Sequence, residues 1–310
     1  MCVVAVKYLK DYGWVGAKNR DRNYQTEVEI VQSNRNDIQR LYIDDQLSRW
    51  TEGLNEFGVS IISASFSVKS DEKEGEKVAG KSQKRREEPN YYSPDGRDIR
   101  NALMRDNPLD AVKFLVSREL AGATFVFDEN TCYLLEGGFT VRMDDETADN
   151  PREYHYKVTE IPRDRGMACR TNHGINLPQL GYKKDADDEY IIRSRMSSEK
   201  RYGYTKKFIA AEMTNPSELI DALARTPDED RFMNPIRTGD PKKGDMVTTG
   251  QLLLVPKERT LHYRPIYSAV SFKYDKLNGP KAKTFFEIIS SRSLLSFQEY
   301  FSNPEKEFLI

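Results

Sequence analysis

Cys2 is the residue of this chain best placed to do covalent chemistry. It follows Met1, and an initiator methionine before a small residue is normally trimmed. Trimming leaves one residue carrying both a thiol and a free α-amine. The unperturbed pKa of an α-amine is about 8 and that of a cysteine thiol about 8.5, so the same residue supplies a nucleophile and a general base. Untrimmed, a cysteine opening a strand is simply a small hydrophobe. The segment Gly16-Ala17-Lys18-Asn19-Arg20-Asp21-Arg22-Asn23 crowds polar and charged groups behind an apolar run. Folded back as a hairpin, it would bring Asp21 near the amine, where a carboxylate orients it. The same fold would bring Lys18 or Arg20 near the thiol, where a cation favours the thiolate. An exposed turn with weak surface ion pairs is the alternative for these residues.

Other reactive side chains are few. Cys132 and Cys169 lie in apolar strand contexts, and three cysteines with three histidines show no zinc spacing, so neither metal nor cofactor is expected. His173 beside Asn172 offers a papain-like partner for a cysteine, but Cys2 already carries its own base. His155 and His262 sit in alternating strands and read as structural, as do Met196 and Met213. Thr248-Thr249-Gly250 reads as a strand face, with a hydroxyl turned to a pocket as the alternative.

The elements that must position these groups follow from the pattern. Cys2-Val3-Val4-Ala5-Val6 is a β-branched run too short for a helix, Asp11-Tyr12-Gly13 is a turn, and Trp14 to Ala17 returns as a second strand. Residues 27–33 (EVEIVQS) alternate as a half-buried antiparallel strand, and Leu41-Tyr42-Ile43 extends that sheet. Residues 58–66 (GVSIISASF) form another strand, whose small side chains permit close approach. From Asp95, Ile99 and Leu103, then Ala111, Phe114 and Leu115, recur at helical spacing, with Pro108 opening the second helix. Residues 124–136 read as a hairpin, 154–161 and 166–170 as strands, 197–213 and 216–225 as helices, and 247–266 as a final hairpin. Strands, two helices, strands, helices and strands again suit two antiparallel sheets covered by helices, not βαβ units.

Composition narrows the classes. The 48 Lys and Arg against 49 Asp and Glu leave no basic excess, so a nucleic-acid partner is not expected. No apolar run approaches the roughly 20 residues of a membrane helix, and no signal peptide is read, so a cytoplasmic protein without a membrane partner is expected. Residues 69–88 hold seven basic and six acidic side chains and no aromatic. Such a stretch cannot offset its ordering entropy by burial, which makes about 67–93 a charged, solvated insertion in an otherwise single domain spanning 1–310.

Several motifs in order resemble the N-terminal-nucleophile hydrolases of the choloylglycine hydrolase and penicillin V acylase group, with their isopenicillin-N acyltransferase and acid ceramidase relatives. They are Cys2, Lys18-Asn19-Arg20-Asp21, Glu52-Gly53-Leu54-Asn55-Glu56-Phe57-Gly58, Thr171-Asn172-His173, and Ser197-Ser198-Glu199-Lys200-Arg201-Tyr202. The resemblance runs from residue 2 to about 265 and implies an α+β four-layer αββα sandwich that cleaves linear amides. It also implies that Cys2 is nucleophile and base, that Asp21 binds its amine, that Asn172 donates to the oxyanion, and that Arg201 orders the charges. Lys18, Asn19 and Ser65 fall where substrate-binding positions are implied. The chain departs twice: Lys18 stands where the group usually has Arg, which removes a bidentate contact, and Ser65 stands where the bile-salt enzymes have Asn. Ser65 is tolerable there if its backbone does the work, and not if its side chain must.

The function expected is therefore hydrolysis of a small-molecule or peptide-like amide through a thioester on Cys2. An acyltransferase on the same site remains open, as do a processing enzyme guided by the charged segment and a catalytically silent binding or assembly protein. A homo-oligomer is open as well. Asp21 is expected to matter more to turnover than its neighbour Arg22.

Overall fold

A computed structural model describes residues 2–66, 94–141, 152–181 and 189–275. The charged insertion at about 67–93 and the initiator methionine lie outside the described residues.

The first sheet is built on β1 (Cys2–Leu9) and β2 (Gly13–Arg22), the expected hairpin, flanked by β10 (Met167–Arg170) and by the hairpin of β11 (Val247–Val255) and β12 (Thr260–Pro265). Its order is β10-β1-β2-β11-β12, antiparallel throughout. The second sheet has eight strands: β3 (Thr26–Arg35), β4 (Ile38–Asp45), β5 (Thr51–Asn55), β6 (Ser60–Ala64), β7 (Gly122–Phe127), β8 (Cys132–Val141), β9 (Arg152–Glu160) and β13 (Ser268–Asp275). They run β13-β3-β4-β5-β6-β7-β8-β9, with only the β13–β3 pair parallel.

Period-two alternation sorts the side chains into layers. On β1, Cys2, Val4 and Val6 face the second sheet and pack with Leu41, Ile43, Ile62, Phe125 and Phe127. Val3, Ala5 and Leu9 face outward, against Ile209, Leu219 and Leu223 of α3 (Glu189–Ile209) and α4 (Ser217–Leu223). On the far side, Val31, Ile61 and Val126 pack on Ile99, Leu103, Ala111 and Leu115, carried mainly by α1 (Pro94–Ala102) and α2 (Pro108–Ser117). The result is helices, sheet, sheet, helices: the expected four-layer αββα sandwich.

Gly16 is a point of close approach between the two sheets. A Cβ there would sit 2.4 Å from the Phe127 ring and 2.9 Å from Ile62. Gly16→Val should therefore force the sheets apart and lower stability by roughly 1–3 kcal/mol, as overpacked cores do. A urea unfolding midpoint equal to wild type would show that the contact is not tight.

Several boundaries differ from the sequence reading. β2 continues to Arg22 instead of stopping at Ala17, because the charges of Lys18, Arg20 and Asp21 all find buried partners within the sandwich. α3 begins at Glu189, eight residues before the expected start, with its first turns exposed at Tyr190 and Ile192. β5 and β13 were not anticipated. β13 pairs with a strand more than two hundred residues earlier, and nothing local announces a partner at that distance. Among the described residues, no helix is long and apolar enough to cross a membrane.

Candidate active site

The end of β1 and the end of β2 meet at Cys2, whose register partner is Arg20. Alternation along β2 sends Lys18, Arg20 and Arg22 to the face shared with the Cys2 thiol, between the sheets. It sends Asn19 and Asp21 to the opposite face, toward the helices.

Between the sheets runs a chain of buried charges. Lys18 Nζ and an Arg20 Nη both bind the Glu52 carboxylate on β5. The Trp50 indole N–H also donates to that carboxylate, at 3.3 Å. Arg20 Nη2 reaches Asp45 Oδ2 at 3.2 Å, and Arg22 Nε reaches the same oxygen at 3.4 Å. Arg22 Nη1 then lies 3.7 Å from Cys2 Sγ. Burial by itself would raise the thiol's pKa. Lys18 and Arg22 are among the cations that outweigh it and bring the thiol down to about 7. The other two cysteines behave oppositely: burial pushes Cys169 up to about 12 and Cys132 well above its ordinary value.

The Cys2 nitrogen belongs to a second network. It donates to Asn172 Oδ1 at 3.0 Å, and that oxygen also accepts from Arg201 Nη2 at 3.0 Å. Arg201 Nη1 binds Asp21 Oδ2 at 3.2 Å. Arg237 Nε stands 3.8 Å from the same oxygen, and Thr248 Oγ1 donates to Asp21 Oδ1 at 2.8 Å. A β-bulge on β11, between Thr248 and Gly250, lies opposite Asp21 and Arg20. Bulges beside sites commonly re-aim a side chain; here Thr248 faces the carboxylate. Asn172 Nδ2 donates to the Ser65 carbonyl at 2.7 Å.

The structure thus brings Cys2, Asp21, Asn172 and Arg201 into one network and sets Lys18 on the thiol's face. Ser65 enters through its backbone carbonyl, while the residue itself is exposed. Asn19 is not brought to the thiol. Its Nδ2 donates to the Leu223 and Pro235 carbonyls at 2.8 Å each, and its Oδ1 accepts from Gln251, all on the helix side. His173 lies behind Asn172 against Ser198, His262 bonds Thr260, and Cys169 faces the outer helices. Arg237, Glu52 and Ser198 were given no role from the sequence, although Glu52 and Ser198 sat inside the quoted motifs; Thr248, read as a strand face with a pocket hydroxyl as the alternative, turns its hydroxyl to Asp21. Arg22, treated there as the lesser neighbour of Asp21, is the cation in contact with the sulfur.

Arg22→Gln should therefore move the pH midpoint of Cys2 alkylation upward from about 7, because the retained dipole cannot replace a full charge beside the thiolate. Iodoacetamide labelling followed by peptide mass spectrometry across pH 5–10 reads this directly. An unmoved midpoint would remove Arg22 from the thiolate's environment.

Among the described residues no group of three His, Cys, Asp or Glu is placed to hold a metal ion. A cavity of about 300 Å³ adjoins the same strand end, lined by Asn23, Ser194, Phe232 and Met246 among others. A larger cavity, about 640 Å³, lies across the molecule between Ile38, Phe57, Arg105 and Phe114.

Two sheets lie face to face between helix layers, and Cys2 opens β1, the second strand of the five-stranded sheet. No family model matches the chain, and no curated protein matches its sequence. Among solved structures it is similar to a penicillin V acylase from Agrobacterium tumefaciens, at 11% identity and a TM-score of 0.38 over 85% of this chain and 86% of that one. It is also similar to the C2A mutant of a conjugated bile acid hydrolase from Clostridium perfringens, at 13% identity and a TM-score of 0.41 over 86% of this chain and 89% of that one.

Proposed function

We propose that this protein is an amidohydrolase that cleaves a linear C–N amide through a thioester on Cys2, after removal of Met1. The observation that carries the reading is the asymmetry among the three buried cysteines. Of the three, only the Cys2 thiol is lowered, to about 7, with Arg22 Nη1 3.7 Å from its sulfur, and its nitrogen is held by a side-chain amide at 3.0 Å. A buried structural thiol has no need of such surroundings.

In the proposed reaction the Cys2 sulfur adds to the amide carbonyl carbon, and the electron pair of the C=O bond moves onto oxygen. One Asn172 Nδ2 hydrogen is engaged by the Ser65 carbonyl, and the other is the donor offered to that oxyanion. A preorganised donor of this kind contributes about 3–4 kcal/mol in the transition state. The C–N bond then breaks, and the α-amine delivers the thiol's proton to the leaving nitrogen. Water, deprotonated by the same amine, adds to the thioester and releases the acid and the thiol. Asp21 acts at one remove: its carboxylate fixes Arg201, which shares Asn172 Oδ1 with the Cys2 nitrogen.

A panel of chromogenic linear amides, incubated with Met1-free protein and quenched in acid, tests the reading. Turnover should be accompanied by an acyl adduct on the N-terminal Cys2 peptide. An adduct confined to Cys132 or Cys169, or hydrolysis without any adduct sensitive to Cys2 alkylation, would defeat it.

A further inference from the structure

The sequence left His173 without a role, and the reaction as drawn does not use it. Its surroundings are nevertheless closely built. His173 Nδ1 lies 2.8 Å from Ser198 Oγ and 3.2 Å from Thr171 Oγ1. Ser198 Oγ also accepts the Asn172 backbone N–H at 2.9 Å, and Asn172 is the residue that holds the Cys2 nitrogen. All four side chains are buried, His173 the least so at 8% exposure.

Counting protons ties the state of the ring to the hydroxyls around it. Thr171 Oγ1 spends its hydrogen on the Ser198 carbonyl at 2.9 Å. Ser198 Oγ spends its hydrogen on Thr171 Oγ1 at 3.0 Å. Neither hydroxyl has a second hydrogen to offer the ring. The contacts at the Ser198 carbonyl, at Thr171 Oγ1 and at His173 Nδ1 are all hydrogen bonds at once only if Nδ1 is the donor. Burial pushes the imidazole's pKa down to about 4, so near neutrality the ring carries a single proton. Ser198 Oγ then accepts two hydrogens, from Asn172 N and His173 Nδ1, and donates one, which nearly fills the capacity of a hydroxyl.

We propose that Ser198 and the Nδ1-protonated neutral form of His173 are the positioning pair for Asn172, fixing the strand-end amide that faces Cys2. Its catalytic consequence rests on the reading of Cys2 as nucleophile; the tautomer does not. Neither residue touches the reacting atoms. They act by removing freedom from Asn172, whose two side-chain atoms must serve the Cys2 nitrogen and the oxyanion at once.

Long-range ¹H–¹⁵N correlation spectra of the full-length protein near pH 7, with the His173 signals identified by their loss in His173→Asn, read the tautomer in wild type. The Nδ1–H pattern is expected, and an Nε2–H pattern overturns the proposal even if Ser198→Ala and His173→Leu fail to fold. In kinetics, Ser198→Ala should lower kcat about ten- to a hundred-fold with KM within about three-fold, the signature of lost alignment. His173→Asn, whose Nδ2–H replaces the Nδ1–H donor, should keep kcat within about three-fold, while His173→Leu should fall with Ser198→Ala. Wild-type kcat in Ser198→Ala, or equal loss in the Asn and Leu variants, overturns the positioning role. Absence of amide cleavage in wild type would defeat the catalytic consequence together with the proposed function, leaving the tautomer to the spectra.

Discussion

Cys2→Ala should abolish amide cleavage, with kcat falling by about three orders of magnitude or more, as loss of a nucleophile does. The same variant should unfold within a few degrees of wild type. The Cys2 side chain is small and sits at the rim of an apolar cluster whose bulk comes from Phe125, Phe127, Leu41 and Ile43. Removing one sulfur there costs about 1 kcal/mol, a shift of a few degrees for a chain of this size. Stability retained with activity lost is what separates a catalytic residue from a core residue. Turnover persisting in Cys2→Ala would end the nucleophile reading. Intact mass of the active wild-type protein provides the companion result: it should be short by one methionine. Active protein that still carries Met1 has an amide at the Cys2 nitrogen, and an amide cannot act as the base.

The largest effect on stability is expected at Glu52→Gln. Glu52 is the carboxylate shared by Lys18 and Arg20, and all three side chains are buried. Replacing it leaves two cations out of water with their common partner gone, a change that costs about 3–5 kcal/mol in buried pairs. The sign of the pH dependence follows from the same geometry. Burial would raise the Glu52 carboxyl, but Lys18 and Arg20 hold it below the usual range. A depressed carboxylate contributes fully above its unfolded pKa, about 4.3. That contribution is lost as pH falls through the lower folded value. Wild type should therefore lose urea resistance through this acid range, and Glu52→Gln should lose less of it while starting from a lower midpoint at pH 7. At the thiol the same variant acts in the opposite sense. With the negative charge gone, Lys18 and Arg20 bear on Cys2 without a counter-charge, and the alkylation midpoint should drop. Unchanged urea midpoints at pH 7 would mean that the cations find other partners or water.

Local pattern made much of the framework readable. The hairpin of β1 and β2, the alternation of β3 and the helices α1 and α2 depend on neighbours within about ten residues, and side-chain period declares them. Asn107, which caps α2 through the Asp110 N–H at 2.9 Å, is of the same kind. The extension of β2 was not readable, because charged residues inside a strand look like a loop until their partners are in place. Lys18, Arg20 and Asp21 are partnered by Glu52, Asp45, Arg201 and Thr248, which come from three other parts of the chain.

The site divides along the same line. That Cys2 pairs a thiol with a potential amine is a property of one residue and its position, and it was available before any folding. Asp21, Asn172 and Arg201 could be nominated through ordered motifs, since residue type and order survive without coordinates. The division of labour among them came only with the tertiary structure. Asn172, 170 residues from Cys2, takes the nitrogen; Asp21 stands behind Arg201; Arg22 reaches the sulfur; and Asn19 turns to the helices. The reason is geometric. Neighbours on a strand point to opposite faces, so adjacent residues of one motif serve different layers of the sandwich. The partner each one meets is set by which strands and helices pack there.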